Sequence, residues 1–378
     1  MTDIRVWHRG DLRLVGIAAL LTAGTAGTTY GHAGEIAPFV VAAAALAALA
    51  ALVGRSVEQL AERLGSGATG VVQAALGNLP ELFVGIFALR AHLVRVVQAA
   101  LVGSILANLL LVLGIAFVVG GLRHGTQHFG AEGPRTSVLL LLLAVAVVAV
   151  PTLSSHLGVD AFRHEQALSD VASVVLLAVL ALSLPSSLRH SGPPERSGAP
   201  GVGARADGAA DGGAERPERR GSVAPAGVPW SALAMLAGSS AAAAFVSDWF
   251  VNALTPALGV LHVSEAFAGL VVVAIAGNAV ENVVGIGLAA RDRPDYSLSV
   301  ILQSPVQIAL GLLPALVLLS GPIGGGHLTL VLPVMLVAAL AIGTLVAVVV
   351  VFDGESTWLE GAALVGLYVT IATAFWWG

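Results

Sequence analysis

Two glutamates, Glu81 and Glu281, lie at the centre of near-identical apolar segments two hundred residues apart. The segments are VVQAALGNLPELFVGI at Val71–Ile86 and VVVAIAGNAVENVVGI at Val271–Ile286, and nine of their sixteen positions carry the same residue. A carboxylate at bilayer depth is costly, and it is usually retained for an ion pathway or a proton relay. The repeated acid therefore indicates a duplicated chain that handles cations or protons inside a membrane.

Each glutamate has an asparagine three residues earlier, Asn78 and Asn278, on the same face of a predicted helix. Gly77 and Pro80 interrupt the first helix, and such a break frees carbonyl oxygens that help to coordinate a cation. Two alternatives stay open: the glycines only let helices pack closely, and the glutamates are protonated acids bonded to neighbouring helices.

The next predicted helix of each half adds a hydroxyl and an amide. Ser104 and Asn108 are four residues apart, and Ser304 and Gln307 are three apart, so each pair shares a helical face. We expect these groups to offer neutral oxygens beside the glutamates. The alternative is that they only hold helices together by hydrogen bonds.

Two further acids, Glu58 and Asp248, lie near the ends of predicted helices, just after Ser56 and Ser247. One interpretation is an access path, either a funnel for cations or a proton relay. The other is that these acids simply reach water.

The chain has ten histidines and no cysteine, which excludes disulfides and thiolate metal sites. All the histidines fall in loops or at the ends of predicted helices, so a midplane site would consist of oxygen ligands alone. Such a site suits a hard cation, Ca²⁺ or Na⁺, better than Zn²⁺ or Cu⁺. Two facing carboxylates match a divalent charge, and their repulsion favours proton uptake once the cation leaves.

The composition indicates an all-α integral membrane protein, because 57% of residues are apolar, 11% are charged and the mean hydropathy is +0.90. Eleven apolar runs are long enough to cross about 30 Å of hydrocarbon. They are residues 12–30, 36–57, 68–90, 94–121, 136–155, 166–187, 230–254, 265–290, 296–320, 328–352 and 358–377.

The spacing of these runs predicts four parts: an N-terminal tail and first transmembrane helix (1–30), a five-helix repeat (31–187), a linker (188–229) and a second five-helix repeat (230–378). The linker is rich in Gly, Ala, Pro and Arg, which predicts disorder. Because five is an odd number, the second repeat must enter the membrane from the opposite side. Inverted repeats with a midplane site are typical of secondary transporters.

The arginines predict the orientation, since Arg is retained on the cytoplasmic side of a membrane. With the N-terminus inside, fifteen of the eighteen arginines lie in inside loops or in the linker, and Arg90, Arg95 and Arg163 lie outside. The chain is therefore expected to be a multi-pass protein of the cell (inner) membrane, with a cytoplasmic N-terminus and an extracytoplasmic C-terminus.

Two stretches resemble the repeats of the calcium/proton exchangers, a branch of the cation/Ca²⁺ exchanger superfamily. They contain GNLPELFVGIFALR with GSILANLLLVLG, and GNAVENVVGIGLAARDRPDYSLSVILQSPVQIALGLLP. The resemblance implies eleven helices, one extra plus two inverted repeats, and cation/proton antiport by alternating access. It implies that Glu81 and Glu281 share the cation and proton site, with neutral ligands beside it: Asn78, Asn278, Asn108 and Gln307.

The sequence thus predicts a secondary active Ca²⁺/H⁺ antiporter without a resident cofactor. A Na⁺/H⁺ exchanger or a Na⁺-coupled Ca²⁺ exchanger on the same fold is the alternative. An ion channel is less favoured, because inverted repeats with broken helices indicate a single occluded site. The signatures HExxH and GxSxG are absent, so no enzyme is predicted. The expected partners are the lipid bilayer and the transported ions, and a homo-oligomer is left open.

Overall fold

The computed structural model describes residues 9–31, 33–64, 76–158, 163–189 and 230–377. These residues form twelve helices and a short antiparallel pair of strands, β1 (Gln127–His128) and β2 (Glu355–Ser356). The helices are α1 (Arg9–Tyr30), α2 (Ile36–Leu64), α3 (Leu79–Arg90), α4 (Val94–His124), α5 (Glu132–His156), α6 (Glu165–Arg189), α7 (Trp230–Leu261), α8 (Glu265–Gly277), α9 (Ala279–Ala289), α10 (Pro294–Ile323), α11 (Val334–Val351) and α12 (Trp358–Trp376).

Within the described residues, nine helices are long and apolar enough to cross a membrane, or ten if α8 and α9, which are bent by 67°, are counted as one span. The protein is therefore an all-α membrane protein, as its composition predicts. The predicted helix at residues 68–90 is described only in part, because residues 65–75 lie outside the described ranges, as do residues 190–229 of the predicted linker.

The packing of α2 against α7 confirms that the two repeats are inverted. Phe39, early in α2, stacks on Phe250, late in α7, with ring centroids 5.2 Å apart. At the other end, Val57 of α2 clusters with Ala232 and Leu236 at the start of α7. The first helices of the two repeats therefore run antiparallel, and each repeat meets the membrane from its own side.

The duplication also survives in backbone detail. The turns after α3 and α9 each contain one residue with positive φ, His92 at 60° and Asp292 at 58°. The same hydrogen bond closes both turns, from the Leu93 N–H to the carbonyl of residue 88 and from the Arg293 N–H to the carbonyl of residue 288. These turns join equivalent helix pairs, α3–α4 and α9–α10, which hold the predicted site residues.

The start of α11 corrects the predicted helix at 328–352. The helix begins at Val334, after Pro333, and residues 328–332 are non-helical instead. Leu328, Leu330 and Leu332 are fully buried, so the segment runs through the protein interior. Its backbone groups are satisfied by polar side chains of the first repeat, as a non-helical segment at membrane depth requires. These side chains are Gln98, Thr152 and Ser169.

Helices α4 and α10 form the centre of the protein. Within their apolar windows, 78% of α4 and 61% of α10 is buried, against 11% of α1. Helix α4 packs closely on α12 where two glycines meet. A methyl group on Gly114 would lie 2.7 Å from the Gly361 carbonyl oxygen, and one on Gly361 would lie 2.5 Å from the Gly114 carbonyl oxygen. Small residues at such crossings let helix backbones approach each other in membranes.

We predict that Gly361→Ala destabilises the protein, because its methyl group would force α4 and α12 apart. Overpacking of this kind costs about 1–3 kcal/mol, and the melting temperature in detergent should fall. Gly366→Ala on the same helix is the matched control, since nothing lies within 4 Å of its added methyl group. Equal melting temperatures for the two variants would contradict the close contact.

Candidate cation site

The predicted helix breaks occur at the same position in both repeats. Asn78 precedes α3 with φ −101° and ψ 26°, and Asn278 separates α8 from α9 with φ −99° and ψ 16°. The residue equivalent to Pro80 in the second repeat is Val280, so the break at Asn278 forms without a proline. Each break exposes a helix N-terminus, which favours negative charge, and Glu81 lies in the first turn of α3.

The asparagines at the breaks are buried and bonded to α10. The Asn78 side-chain amide donates to Gln307 Oε1 over 3.3 Å, which joins the two repeats. The Ser304 hydroxyl donates to Asn278 Oδ1 over 2.9 Å, and Asn278 in turn donates to the Ala274 carbonyl. Four predicted site residues are therefore joined in two hydrogen-bonded pairs, and three of the four belong to α9–α10 and the break before it.

Glu81 reaches across to the helix break of the other repeat. A methyl group on Gly277 would lie 3.0 Å from Glu81 Oε1 and 3.1 Å from its Cγ. The absence of a side chain at Gly277 thus lets the carboxylate of α3 lie against the end of α8. Gly277 therefore allows close packing, which was one of the two interpretations of the glycines. The group that packs against it is the side chain of Glu81.

Asn108 lies in a π-helical segment of α4, Ala107–Val112, and is completely buried. Its amide nitrogen donates to the Ser104 carbonyl over 2.9 Å. Its Oδ1 accepts no hydrogen bond from the described part of the chain. A buried acceptor without a donor is costly, whereas a cation bound beside it would use that oxygen.

A small, largely apolar cavity of about 20 Å³, enough for about one water, lies beside Glu81 between α3 and α4. Glu81 and Ser104 line its inner part. Along it, the facing sides of the two helices contribute mainly small and branched apolar residues: Val84, Gly85, Ala88, Val96, Val97, Ala100 and Leu101. Most of the lining side chains are buried, so the cavity leaves the carboxylate beside little more than one water.

The structure does not place all of the other predicted residues at the site around Glu81. Glu58 is exposed on α2, and Asp248 is half-buried in the middle of α7, not near its end, because α7 continues to Leu261. No described contact joins either acid to Glu81, so their role in an access path stays a prediction. Glu281 lies on α9 at the position equivalent to Glu81, and its side chain is outside the described part of the structure.

Sequence reasoning missed two features of the site. The π-helical segments Ala107–Val112 and Ile308–Leu312 follow Ser104 and Gln307 in equivalent places, and no residue type marks them in the sequence. The contact of Gly277 with the opposite acid was also missed. The sequence did signal the importance of this glycine, because Gly77 occupies the equivalent position of the first repeat. The sequence does not show which side chain lies against each glycine.

Together these features define a class of protein: a multi-pass membrane protein of two inverted repeats whose broken helices meet at a buried polar site, the plan of secondary transporters. The sequence model of the sodium/calcium exchanger protein family matches residues 35–188 and 231–377. The chain belongs to this family, which is a family of transporters and not of enzymes.

Curated relatives agree with this assignment. A Ca²⁺/H⁺ antiporter of Aphanothece halophytica is 33% identical over 91% of both chains. The Bacillus subtilis Ca²⁺/H⁺ antiporter ChaA is 30% identical over 85% of this chain and 87% of its own. Among solved structures, native YfkE superposes with a TM-score of 0.76 at 27% identity, covering 96% of this chain and 99% of its own.

We predict that Gly277→Ala weakens cation binding without unfolding the protein, because the new methyl group displaces the Glu81 carboxylate. The loss should be about tenfold, the equivalent of 1.4 kcal/mol, in calorimetric titration of the purified protein with Ca²⁺ as probe. Gly287→Ala on α9 is the matched control, since nothing lies within 4 Å of its methyl group. Unchanged affinity in Gly277→Ala would show that the carboxylate's position does not matter.

Proposed function

We propose that this protein is a Ca²⁺/H⁺ antiporter that exports Ca²⁺ from the cytoplasm as protons enter. The observation that carries the proposal is the Glu81 carboxylate lying against Gly277, at the helix break of the opposite repeat. Both repeats thereby contribute to one buried site, as alternating access around a midplane site requires. The names of the relatives support the choice of ions.

The oxygen groups of the two predicted ligand helices suit calcium. Ca²⁺ prefers carboxylate, amide and carbonyl oxygens, and Glu81 and Asn108 offer the first two kinds. Glu281 supplies the second negative charge in this proposal, so that two carboxylates balance one divalent ion. When the ion leaves, two like charges in a buried site compete for protons, which couples calcium release to proton uptake.

Sodium coupling is the second candidate, because the matching family is that of sodium/calcium exchangers. The same oxygen ligands accept Na⁺, a hard cation. The two candidates differ in what must occupy the carboxylates after Ca²⁺ leaves, a proton or a sodium ion. No described group of the site excludes either ion, so vesicle transport has to identify the driving ion.

We expect Glu81→Gln and Glu281→Gln each to abolish exchange, since an amide keeps the shape but neither balances Ca²⁺ nor carries its proton. The measurement is ⁴⁵Ca²⁺ uptake into everted vesicles under an imposed pH gradient, where both variants should fall to the level of empty vesicles. Glu35→Gln, an exposed glutamate ahead of α2, is the control and should transport normally.

The same vesicles distinguish the driving ion. Uptake should follow the pH gradient and collapse when a protonophore dissipates it. Uptake that ignores the pH gradient but follows a Na⁺ gradient would replace the proton assignment with sodium coupling. Normal transport by either glutamine variant would refute the mechanism with two carboxylates.

The proposal includes an orientation in the cell membrane: N-terminus and linker inside, C-terminus outside, with the α3–α4 turn outside. Its basis is the uneven distribution of arginine. A reporter fused after Gly378 should be extracytoplasmic, and one inserted between Gly201 and Gly221 should be cytoplasmic. Both reporters on one side would mean that the helix count, and with it the orientation, is wrong.

A further inference from the structure

A cleft on the outside of the protein lies between the start of α8 and the end of α12. Its volume is about 300 Å³, against about 20 Å³ for the cavity beside Glu81. A cleft of about 300 Å³ is large enough to hold a small ligand. Four aromatic residues and three smaller ones line this aromatic cleft: Phe267, Tyr368, Trp376 and Trp377, with Val369, Ala372 and Thr373.

Direct contacts fix the two walls of the aromatic cleft. The Ser264 hydroxyl, just before α8, donates to the Phe375 carbonyl, and the Ser264 N–H donates to the Trp376 carbonyl over 3.3 Å. The Phe267 and Trp376 rings meet edge to face, with centroids 4.7 Å apart. The shape of the cleft is therefore set by the protein itself, as it is for most ligand sites.

The ends of α12 place the cleft at a defined depth in the bilayer. The helix begins at Trp358 and ends at Trp376, which are about 27 Å apart at 1.5 Å per residue. This length matches a hydrocarbon core of about 30 Å, and tryptophans are typical of both membrane–water interfaces. Trp376 and Trp377 therefore lie at headgroup depth, and Tyr368 lies about 12 Å deeper, at the depth of lipid chains.

The lining of the cleft favours an apolar ligand. Among the described residues, no charged side chain lines it. Tyr368 contributes its ring, because its hydroxyl oxygen is buried and bonds to no described group. The Thr373 hydroxyl donates to the Val369 carbonyl of its own helix. At the outer end, Trp376 and Trp377 add indole N–H groups, which are hydrogen-bond donors.

The cleft is continuous with the surface of α12 that faces lipid. Val369 is 54% exposed and Trp377 is 80% exposed, whereas Tyr368 at the inner wall is only 4% exposed. Because α12 is long and apolar enough to span the membrane, its exposed side chains lie against lipid chains. We propose that the aromatic cleft binds one acyl chain of a phospholipid, with the lipid headgroup beside Trp376 and Trp377.

A lipid chain in this position contacts both α8 and α12 and stabilises their packing. Phe267 and Gly277 lie near opposite ends of α8, so the lipid site is separate from the cation site. The same helix thus meets the lipid chain at its start and Glu81 at its end. The proposal concerns a lipid and holds whichever cation the protein carries.

Protection of a single thiol tests the lipid site, because the chain has no cysteine of its own. Thr373→Cys places a thiol in the cleft. Thr370→Cys is the matched control, since Thr370 is likewise exposed and bonds to a carbonyl of its own helix but does not line the cleft. The purified protein in detergent is titrated with dioleoyl phosphatidylglycerol, and the rate of reaction with N-ethylmaleimide is measured.

The labelling rate at residue 373 should fall roughly tenfold when the lipid concentration is about ten times its Kd, because about one tenth of the sites stay free. The rate at residue 370 should not change. Dioleoyl phosphatidylethanolamine should protect residue 373 equally, since its chains are the same. Glycerol phosphate has no chain and should not protect.

Two results of this titration would overturn the proposal. Equal slowing at both thiols would show a general shell of lipid without a site. Protection by glycerol phosphate, or by only one of the two phospholipids, would show that the headgroup and not the acyl chain is recognised.

Filling the cleft is an independent test. Ala372→Trp places an indole where the chain would lie, so native mass spectrometry should show one bound phospholipid fewer than in the unaltered protein. Ala374→Trp, at an exposed position of α12 outside the cleft, is the control and should keep that lipid. An Ala372→Trp protein that retains the lipid would refute the site.

Tyr368→Phe removes only the buried hydroxyl and should also keep the lipid. Its loss in this variant would mean that the ligand carries a hydrogen-bonding group at that depth, which an acyl chain does not. The competing occupant is a second copy of this chain. Protection of residue 373 that rises with protein concentration, without added lipid, would identify that contact and overturn the lipid site.

Discussion

The whole structure depends on one constraint: a carboxylate and several amides lie where lipid would otherwise surround them, and each polar group must be satisfied inside the protein. The breaks at Asn78 and Asn278 meet this demand by ending helices inside the membrane region and turning their termini toward the site. Those exposed termini must themselves be covered. The central helices α4 and α10 cover them, which explains why these are among the most buried helices.

Close approach between repeats is the second condition for the site. Gly277 admits the Glu81 carboxylate, and Asn78 bonds Gln307 across 229 residues of sequence. Neither contact exists within one repeat, so a single five-helix unit would leave its polar groups unsatisfied. The inverted arrangement therefore completes the site.

Non-helical segments connect the two repeats without adding helices. Residues 328–332 pass through the interior because Gln98, Thr152 and Ser169 of the first repeat satisfy their backbone. On the other side of the fold, β1 pairs with β2, and Gln127 of β1 donates to Asp292 in the α9–α10 turn. Both connections join one repeat to the other, so the helices around the site are held as one unit.

The sequence by itself determined the membrane class, the duplication, most helices and the glutamate, asparagine and serine positions, because these follow from apolar length and local repetition. The inverted arrangement followed from counting helices. Only the tertiary structure decided that Gly277 faces Glu81, that residues 328–332 are non-helical, and that Asn78 bonds Gln307 of the other repeat. Those facts depend on contacts between residues far apart in the chain, which helix packing selects and local patterns do not encode.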